Sequence, residues 1–63
     1  MAEGTVKWFN NKRGWGFIVK EDGEDIFVHS SGLVDDIRDN DRVEFDSERG
    51  QKGMNAVNVK RIS

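Results

Sequence analysis

Apolar residues recur in short segments of the chain, separated by glycines and by charged stretches. No segment repeats apolar residues at helical spacing for long enough to indicate a helix, whereas alternation with a period of two is typical of half-buried strands. We therefore predict an all-β domain with five strands. The predicted strands are Gly4–Asn10, Trp15–Lys20, Asp25–His29, Asp41–Ser47 and Met54–Ile62.

Turn residues mark the connections between these strands. Residues 10–14 form the first turn, and Asp22-Gly23 is a hairpin signal between the second and third strands. Gly50 and Gly53 supply turn freedom between the last two strands. Ser30–Asn40 is the one long connection, and its first residues are expected to form a single helical turn.

The same alternation sorts the side chains into two faces, because successive strand residues point to opposite sides. Five short strands with one long connection favour a small closed barrel, since closure removes exposed strand edges. The predicted core is aliphatic apart from one ring, and it comprises Val6, Ile18, Ile26, Val28, Leu33, Val43, Phe45, Val57 and Val59.

Most aromatic side chains are left over once this core is built. The leftover rings share the outer faces of the first three strands, and they are Trp8, Trp15, Phe17, Phe27 and His29. Phe9 is ambiguous, because the consecutive Trp8-Phe9 pair breaks the alternation and indicates a bulge. An exposed patch of this kind is an aggregation liability unless it binds something.

Rings interleaved with basic side chains suit single-stranded nucleic acid. Each base that stacks on a ring contributes about 1–3 kcal/mol, with little regard to sequence. Basic side chains from the same or adjoining segments would follow the phosphates, and they are Lys7, Lys12, Arg13 and Lys20. Because a duplex hides the faces of its bases, we expect this surface to select unpaired strands.

The overall charge argues against such a partner at first, because the formal net charge is −2 and nucleic-acid-binding domains are usually basic. The charge is divided along the chain, however. Residues 1–20 and 49–63 are net basic, whereas residues 21–48 carry eleven acidic side chains against two arginines. The two basic ends would form a basic surface if they meet in the fold.

Composition excludes several other classes of protein. There is no cysteine for a disulfide or a thiolate metal site, and the chain has a single histidine. Neither a catalytic serine arrangement nor a phosphate-binding glycine loop is present. Apolar runs fall short of the roughly 20 residues of a membrane span, and the N-terminus lacks a secretion signal. We expect one domain over residues 1–63 that is cytoplasmic, binds no cofactor or metal and is not an enzyme.

Two aromatic motifs follow each other in the first half of the chain: KRGWGFI at residues 12–18 and IFVH at residues 26–29. They resemble the first and second ribonucleoprotein motifs of the cold-shock protein family. Gly4–Asn10 resembles the opening strand of that family, and Asn55–Val59 resembles its closing strand. The resemblance runs from Gly4 to Arg61 and implies a five-stranded antiparallel barrel of the oligonucleotide-binding type (OB-fold).

The resemblance also implies a function, namely binding of single-stranded RNA and DNA with a preference for pyrimidines and especially for T or U. The implied role is that of an RNA chaperone that keeps transcripts unpaired in the cold. The implied stacking positions are Trp8, Phe17, Phe27 and His29, with Trp15 and Phe9 contributing. The implied phosphate contacts are Lys7, Arg13 and Lys52, and the implied base-edge contacts are Asn10 and Asp25. In the implied fold the acidic middle of the chain faces away from the rings.

The chain departs from the family pattern at four places. Trp15 stands where the family usually has phenylalanine. Ser30 stands where many bacterial members have a further phenylalanine. Residues 34–40 form a shorter connection that is acidic and lacks an aromatic ring, and Met54 replaces a frequent proline. We therefore expect fewer stacked bases, weaker affinity and a shorter binding site than in a member that has all of these features.

Three questions stay open at this stage. The acidic segment 35–48 would make the chain a protein-interaction module if it docks a basic partner, and oligonucleotide binding without salt dependence would favour that interpretation. A transcription antiterminator would use the same surface as a general chaperone. A monomer is expected, and a strand-swapped dimer is the alternative.

Overall fold

Five strands close into a barrel in the computed structural model, which describes residues 1–50 and 53–62. In chain order they are β1 (Ala2–Asn10), β2 (Trp15–Lys20), β3 (Asp25–His29), β4 (Arg42–Gly50) and β5 (Gly53–Arg61). The predicted helical turn is a 3-10 helix, Ser30–Gly32, directly after β3. Within the described ranges no helix has the length and apolar character needed to cross a lipid bilayer.

The order of strands around the barrel is β1-β2-β3-β5-β4, and β4 pairs again with β1. β3 and β5 run parallel, with Phe27 opposite Asn55 and Val28 opposite Ala56. The other neighbouring strands are antiparallel, so the structure differs from the antiparallel prediction at this one seam. The reason is that the long connection carries the chain from β3 to the far side of β1. β4 then runs against β1, and β5 returns in the direction of β3.

The predicted barrel and most of its predicted core are confirmed. The buried apolar side chains are Val6, Ile18, Ile26, Val28, Ile37, Val43, Phe45, Ala56 and Val59. Leu33 is half-buried and packs against this core rather than inside it. The prediction that Val57 is buried is wrong, because Ala56 points inward in its place.

An irregularity in β5 explains this exchange. Between the pairs Glu44–Lys60 and Asp46–Val57, β5 contains one residue more than β4. Asn58 lies within this bulge and has a φ of 53°, a left-handed conformation that few residues other than glycine adopt. The extra residue interrupts the alternation, so inward-facing positions in β5 are three residues apart instead of two.

Ile37 is a core residue that the alternation does not reveal. It lies in the connection between the 3-10 helix and β4, and its side chain is only 2% exposed. The segment around it is acidic and has no strand periodicity. The connection is therefore part of the core and not a solvated loop.

The same connection covers an edge of β1. The N–H of Val6 donates to the carbonyl oxygen of Asp41 at 2.8 Å, and the N–H of Asn40 donates to the carbonyl oxygen of Val6 at 2.7 Å. Further along β1, the N–H of Phe9 donates to Asp39 Oδ1 at 3.0 Å. The N–H and carbonyl groups of β1 that do not pair with β4 thus find hydrogen-bond partners in the connection.

A β-bulge at Lys7 divides β1 into two parts. The register between β1 and β2 shifts by one residue between Val6 and Trp8. These two residues would share a face in a regular strand, but the additional residue places Val6 in the core and Trp8 outside. Gly16 of β2 allows the bulged backbone to lie this close, because a Cβ atom there would collide with the carbonyl oxygen of Trp8.

We predict that Ile37→Ala lowers the free energy of unfolding by about 2–5 kcal/mol, because truncation of a buried side chain leaves a cavity. Urea denaturation followed by far-ultraviolet circular dichroism measures the change. Val34→Ala is the control, since Val34 belongs to the same connection but is 56% exposed; a surface substitution of this kind changes stability by about 0.5 kcal/mol or less. Equal losses in the two variants would contradict the core role of Ile37.

Candidate nucleic-acid interface

Four rings form one continuous cluster on the outside of β1, β2 and β3. This ring cluster consists of Trp8, Trp15, Phe17 and Phe27. Phe17 and Phe27 are directly opposite each other in the β2–β3 register, as the alternation predicts. All four side chains are half-buried, so each packs against its neighbours and keeps part of its surface open to solvent.

Trp15 contacts all three other rings of the cluster, as Phe17 also does. Its ring centroid lies 5.1 Å from that of Trp8, 5.9 Å from that of Phe27 and 6.1 Å from that of Phe17. Trp15 and Phe27 are stacked with an interplanar angle of 28°, whereas the other two contacts are edge-to-face. Aromatic pairs of these geometries contribute about 0.5–1.5 kcal/mol beyond their buried area. The rings therefore hold one another in place without a ligand.

Two further predicted rings lie beside the cluster. His29 is exposed and lies opposite Trp15 in the β2–β3 register. Its Nδ1 accepts a hydrogen bond from the N–H of Ser31 at 3.1 Å, which caps the 3-10 helix and fixes the imidazole. Phe9 is half-buried and packs against the core instead of joining the cluster.

Asn10 organises the turn between β1 and β2. Its Oδ1 accepts hydrogen bonds from the N–H groups of Lys12 and Arg13, both at 3.0 Å. Gly14 closes the turn with a φ of 78°, which favours glycine, and its N–H donates to the carbonyl oxygen of Asn10 at 2.7 Å. The resemblance gives Asn10 a base-edge contact, but its side-chain oxygen is engaged here in shaping the turn that carries Lys12 and Arg13.

Two of the four predicted basic residues near the rings are paired with acids. Lys7 Nζ lies 3.2 Å from Asp25 Oδ2, and both side chains are exposed. Lys20 Nζ lies 3.8 Å from Asp22 and 3.9 Å from Glu24. These pairs reduce the positive charge along β1 and β2, so the ring cluster is less basic than a count of lysines suggests.

The turn between β1 and β2 carries the remaining basic residues of this region. Within residues 1–50 and 53–62, Lys12 and Arg13 have no carboxylate at ion-pair distance. Lys52, which the resemblance assigns to a phosphate contact, lies outside the described residues. In the described part of the chain no group of three or more His, Asp or Glu side chains is arranged to hold a metal ion.

A cleft of about 590 Å³ lies between this turn and the connection after the 3-10 helix. Lys12 and Arg13 line it together with Asp35 and Asp36. The expectation that the acidic middle of the chain faces away from the rings is wrong for Asp35 and Asp36, because they line this cleft together with His29 and Phe9. The cleft does not include the four rings of the ring cluster. Ser30 also lines the cleft and presents a hydroxyl group where many bacterial members of the family have a ring.

Two side chains that hold the site were not predicted from the sequence. The Ser31 hydroxyl lies 3.0 Å from Nδ1 of His29, and Oδ1 of Asp39 accepts a hydrogen bond from the N–H of Phe9. Serine side chains often make hydrogen bonds within a few residues of the chain, and Ser31 is only two residues from its partner His29, so the sequence holds a local signal for this contact. Asp39 carries no such signal, because its partner is 30 residues away in the chain.

We predict that Asn10→Ala destabilises the fold by about 0.5–2 kcal/mol, because two N–H groups of the turn lose their acceptor, as in the loss of a helix cap. Asn10→Asp is the matched control, since it keeps an acceptor oxygen at the same position. Thermal unfolding of both variants measures the difference. Equal stabilities of Asn10→Ala and the wild type would show that the side chain does not organise the turn.

Comparison with known proteins identifies the family. Residues 2–62 match the model of the 'Cold-shock' DNA-binding domain. The major cold shock protein of Micrococcus luteus is 48% identical, over 98% of this chain and 100% of the relative. Cold shock protein CspC of Bacillus subtilis is 45% identical, over 97% of this chain and 98% of the relative.

Among solved structures, the fragment of Drosophila Unr called CSD456 superposes with a TM-score of 0.80 at 26% sequence identity. The match covers 98% of this chain and 26% of that longer chain, so it supports the fold of one domain. The barrel, the two motifs and the match over residues 2–62 agree, and the chain belongs to the cold-shock domain family, whose members bind nucleic acid and are not enzymes.

Proposed function

We propose that this protein binds single-stranded RNA and DNA by stacking unpaired bases on the ring cluster, and that it acts as an RNA chaperone in the cold. The observation that carries the proposal is the position of the four rings. Among residues 1–50 and 53–62, Phe45 is the one aromatic side chain of the buried core, while the ring cluster lies outside it and keeps surface open to solvent.

The geometry of the ring cluster favours single strands over duplexes. Bases in a duplex stack on one another and expose only their edges and the phosphates. An unpaired base can lay its face on Trp8, Phe17 or Phe27, and each such contact contributes about 1–3 kcal/mol. Because the protein binds the unpaired strand, it shifts the equilibrium between paired and unpaired strands by mass action. The chaperone role therefore requires no nucleoside triphosphate.

The contribution of charge to this binding is small. Lys7 and Lys20 are paired with acids, which leaves Lys12 and Arg13 as the predicted basic side chains of this region without a carboxylate at ion-pair distance in the described residues. Each phosphate contact on a single strand contributes about −0.7 to the slope of log K against log salt. If Lys12 and Arg13 each contact one phosphate, the slope is roughly −1.4. The larger part of the affinity then comes from stacking of bases on the rings.

Base preference and site length follow from the same surface. Strands rich in T or U are the proposed ligands, because the two motifs are shared with the family and because pyrimidine runs unstack readily. Ser30 provides no ring at the cleft, so the bound segment is shorter than in members with a phenylalanine there. The protein acts as a single domain and a monomer in this proposal, located in the cytoplasm, with His29 and Phe9 at the margin of the site.

We predict that oligo-dT quenches the fluorescence of Trp8 and Trp15, because both indoles belong to the ring cluster, whereas a duplex of the same length has a much weaker effect. A titration at two salt concentrations measures both the affinity and its salt dependence. No response to oligo-dT, or an equal response to the duplex, would overturn the proposed function. Quenching without salt dependence would favour the alternative in which the chain is a protein-interaction module and its acidic segment 35–48 docks a basic partner.

We predict that Phe17→Ala and Phe27→Ala each weaken binding of oligo-dT by about 5- to 150-fold, which corresponds to about 1–3 kcal/mol for one stacked base. Ile62→Ala is the control, because Ile62 is a large apolar residue that is 44% exposed and outside the ring cluster. Circular dichroism shows whether each variant is folded. Unchanged affinity in a folded Phe17→Ala variant would exclude this ring from the site.

A further inference from the structure

The ion pair between Lys7 and Asp25 joins two strands at the ring cluster, and we infer from it that Asp25 limits the affinity of this protein for single strands. By pairing with Lys7, the carboxylate offsets the charge of the cation that directly precedes Trp8 and weakens its contact with a phosphate. This inference rests on the proposed function, and it assigns the regulation of that same site to one residue.

The register places this ion pair beside the rings. Lys7 is the additional residue of the bulge in β1 and directly precedes Trp8. Asp25 is the first residue of β3, opposite Val19 of β2 and on the same outer face as Phe27. Because β2 lies between β1 and β3, the two side chains meet across the outer face of β2, with Lys7 Nζ 3.2 Å from Asp25 Oδ2.

The pair changes what a bound strand meets at this point. The side chains of Lys7 and Asp25 are 53% and 43% exposed, so water screens their attraction and a phosphate can take the place of the carboxylate. The carboxylate remains next to that phosphate, however, and repels it. The pair as a whole has no net charge, and Lys7 therefore adds little to affinity while Asp25 is present.

The resemblance to the family gives Asp25 a different role, that of an acceptor for a base edge. The ion pair occupies Oδ2 of the same carboxylate. The two roles predict opposite effects of Asp25→Asn, because asparagine keeps an acceptor oxygen but has no charge. A base-edge acceptor would give weaker or unchanged binding in this variant, whereas release of Lys7 gives tighter binding.

The test is a fluorescence titration with the oligonucleotide dT7 at about 50 and 200 mM salt, on the full chain and its variants. We expect Asp25→Asn to bind about two- to fivefold more tightly at low salt, the range of one exposed ion pair. Its salt slope should be steeper by about 0.7, which is one further phosphate contact. Lys7→Gln should change affinity less than twofold in the wild-type background and should cancel the gain in the Asp25→Asn background.

Glu48→Gln is the matched control for charge. Glu48 is exposed on β4 and makes no ion pair within residues 1–50 and 53–62, so this variant removes the same charge without releasing a lysine. An equal gain in Glu48→Gln and Asp25→Asn would overturn the inference, because the gain would then be a general effect of net charge. Unchanged or weaker binding by Asp25→Asn, while the wild type binds dT7, would overturn it as well. A wild type that does not bind dT7 overturns the proposed function itself.

Discussion

One additional residue in β1 determines which side chains this small barrel can offer to a partner. Lys7 shifts the register against β2, and as a result Trp8 leaves the face that Val6 occupies. A regular strand would place the indole inside the barrel, where it would overfill a core built for Val6, Ile18 and Val43. The bulge in turn depends on Gly16, because any side chain at this position would collide with the β1 backbone. A glycine in one strand thus sets the direction of a tryptophan in another.

The barrel separates its apolar residues into two groups with different tasks. Aliphatic side chains and Phe45 fill the interior, while the ring cluster lies outside. A domain of this size buries only about 60% of the surface of its unfolded chain, so exposed rings carry a cost in stability. Contacts among the rings offset part of this cost, since Trp15 packs on three other rings. They also fix the rings in an arrangement that a ligand does not have to order.

How far the sequence predicts this structure depends on whether a signal is local. The bounds of β2 and β3 agree with the prediction, because an unbroken alternation lies between two clear turns. Val57 was misplaced because the alternation assumes a regular strand, and the bulge at Asn58 shifts it by one residue. Ile37 was missed because its burial depends on the path of the connection across the barrel and not on any periodicity.

The candidate site shows the same division. The face shared by Trp15, Phe17 and Phe27 follows from alternation in two adjacent strands, so the ring cluster was predictable. The engagement of Asn10 in its own turn, and the contact between Lys7 and Asp25, depend on side-chain geometry and on a register shift. Two residues that resemble base-reading groups in the sequence are therefore already occupied in the folded chain.

The position of the two tryptophans also determines which part of this molecule its fluorescence and near-ultraviolet circular dichroism report on. The chain has no tyrosine, and both of its indoles belong to the ring cluster, with centroids 5.1 Å apart. Indole emission and near-ultraviolet ellipticity thus record the state of the outer surface, whereas the signal of the peptide bonds records the strands. In any condition that loosens the rings while the barrel stays closed, the indole signals change and the peptide-bond signal does not. The protein therefore carries independent optical probes for its binding surface and for its fold, without the introduction of a label.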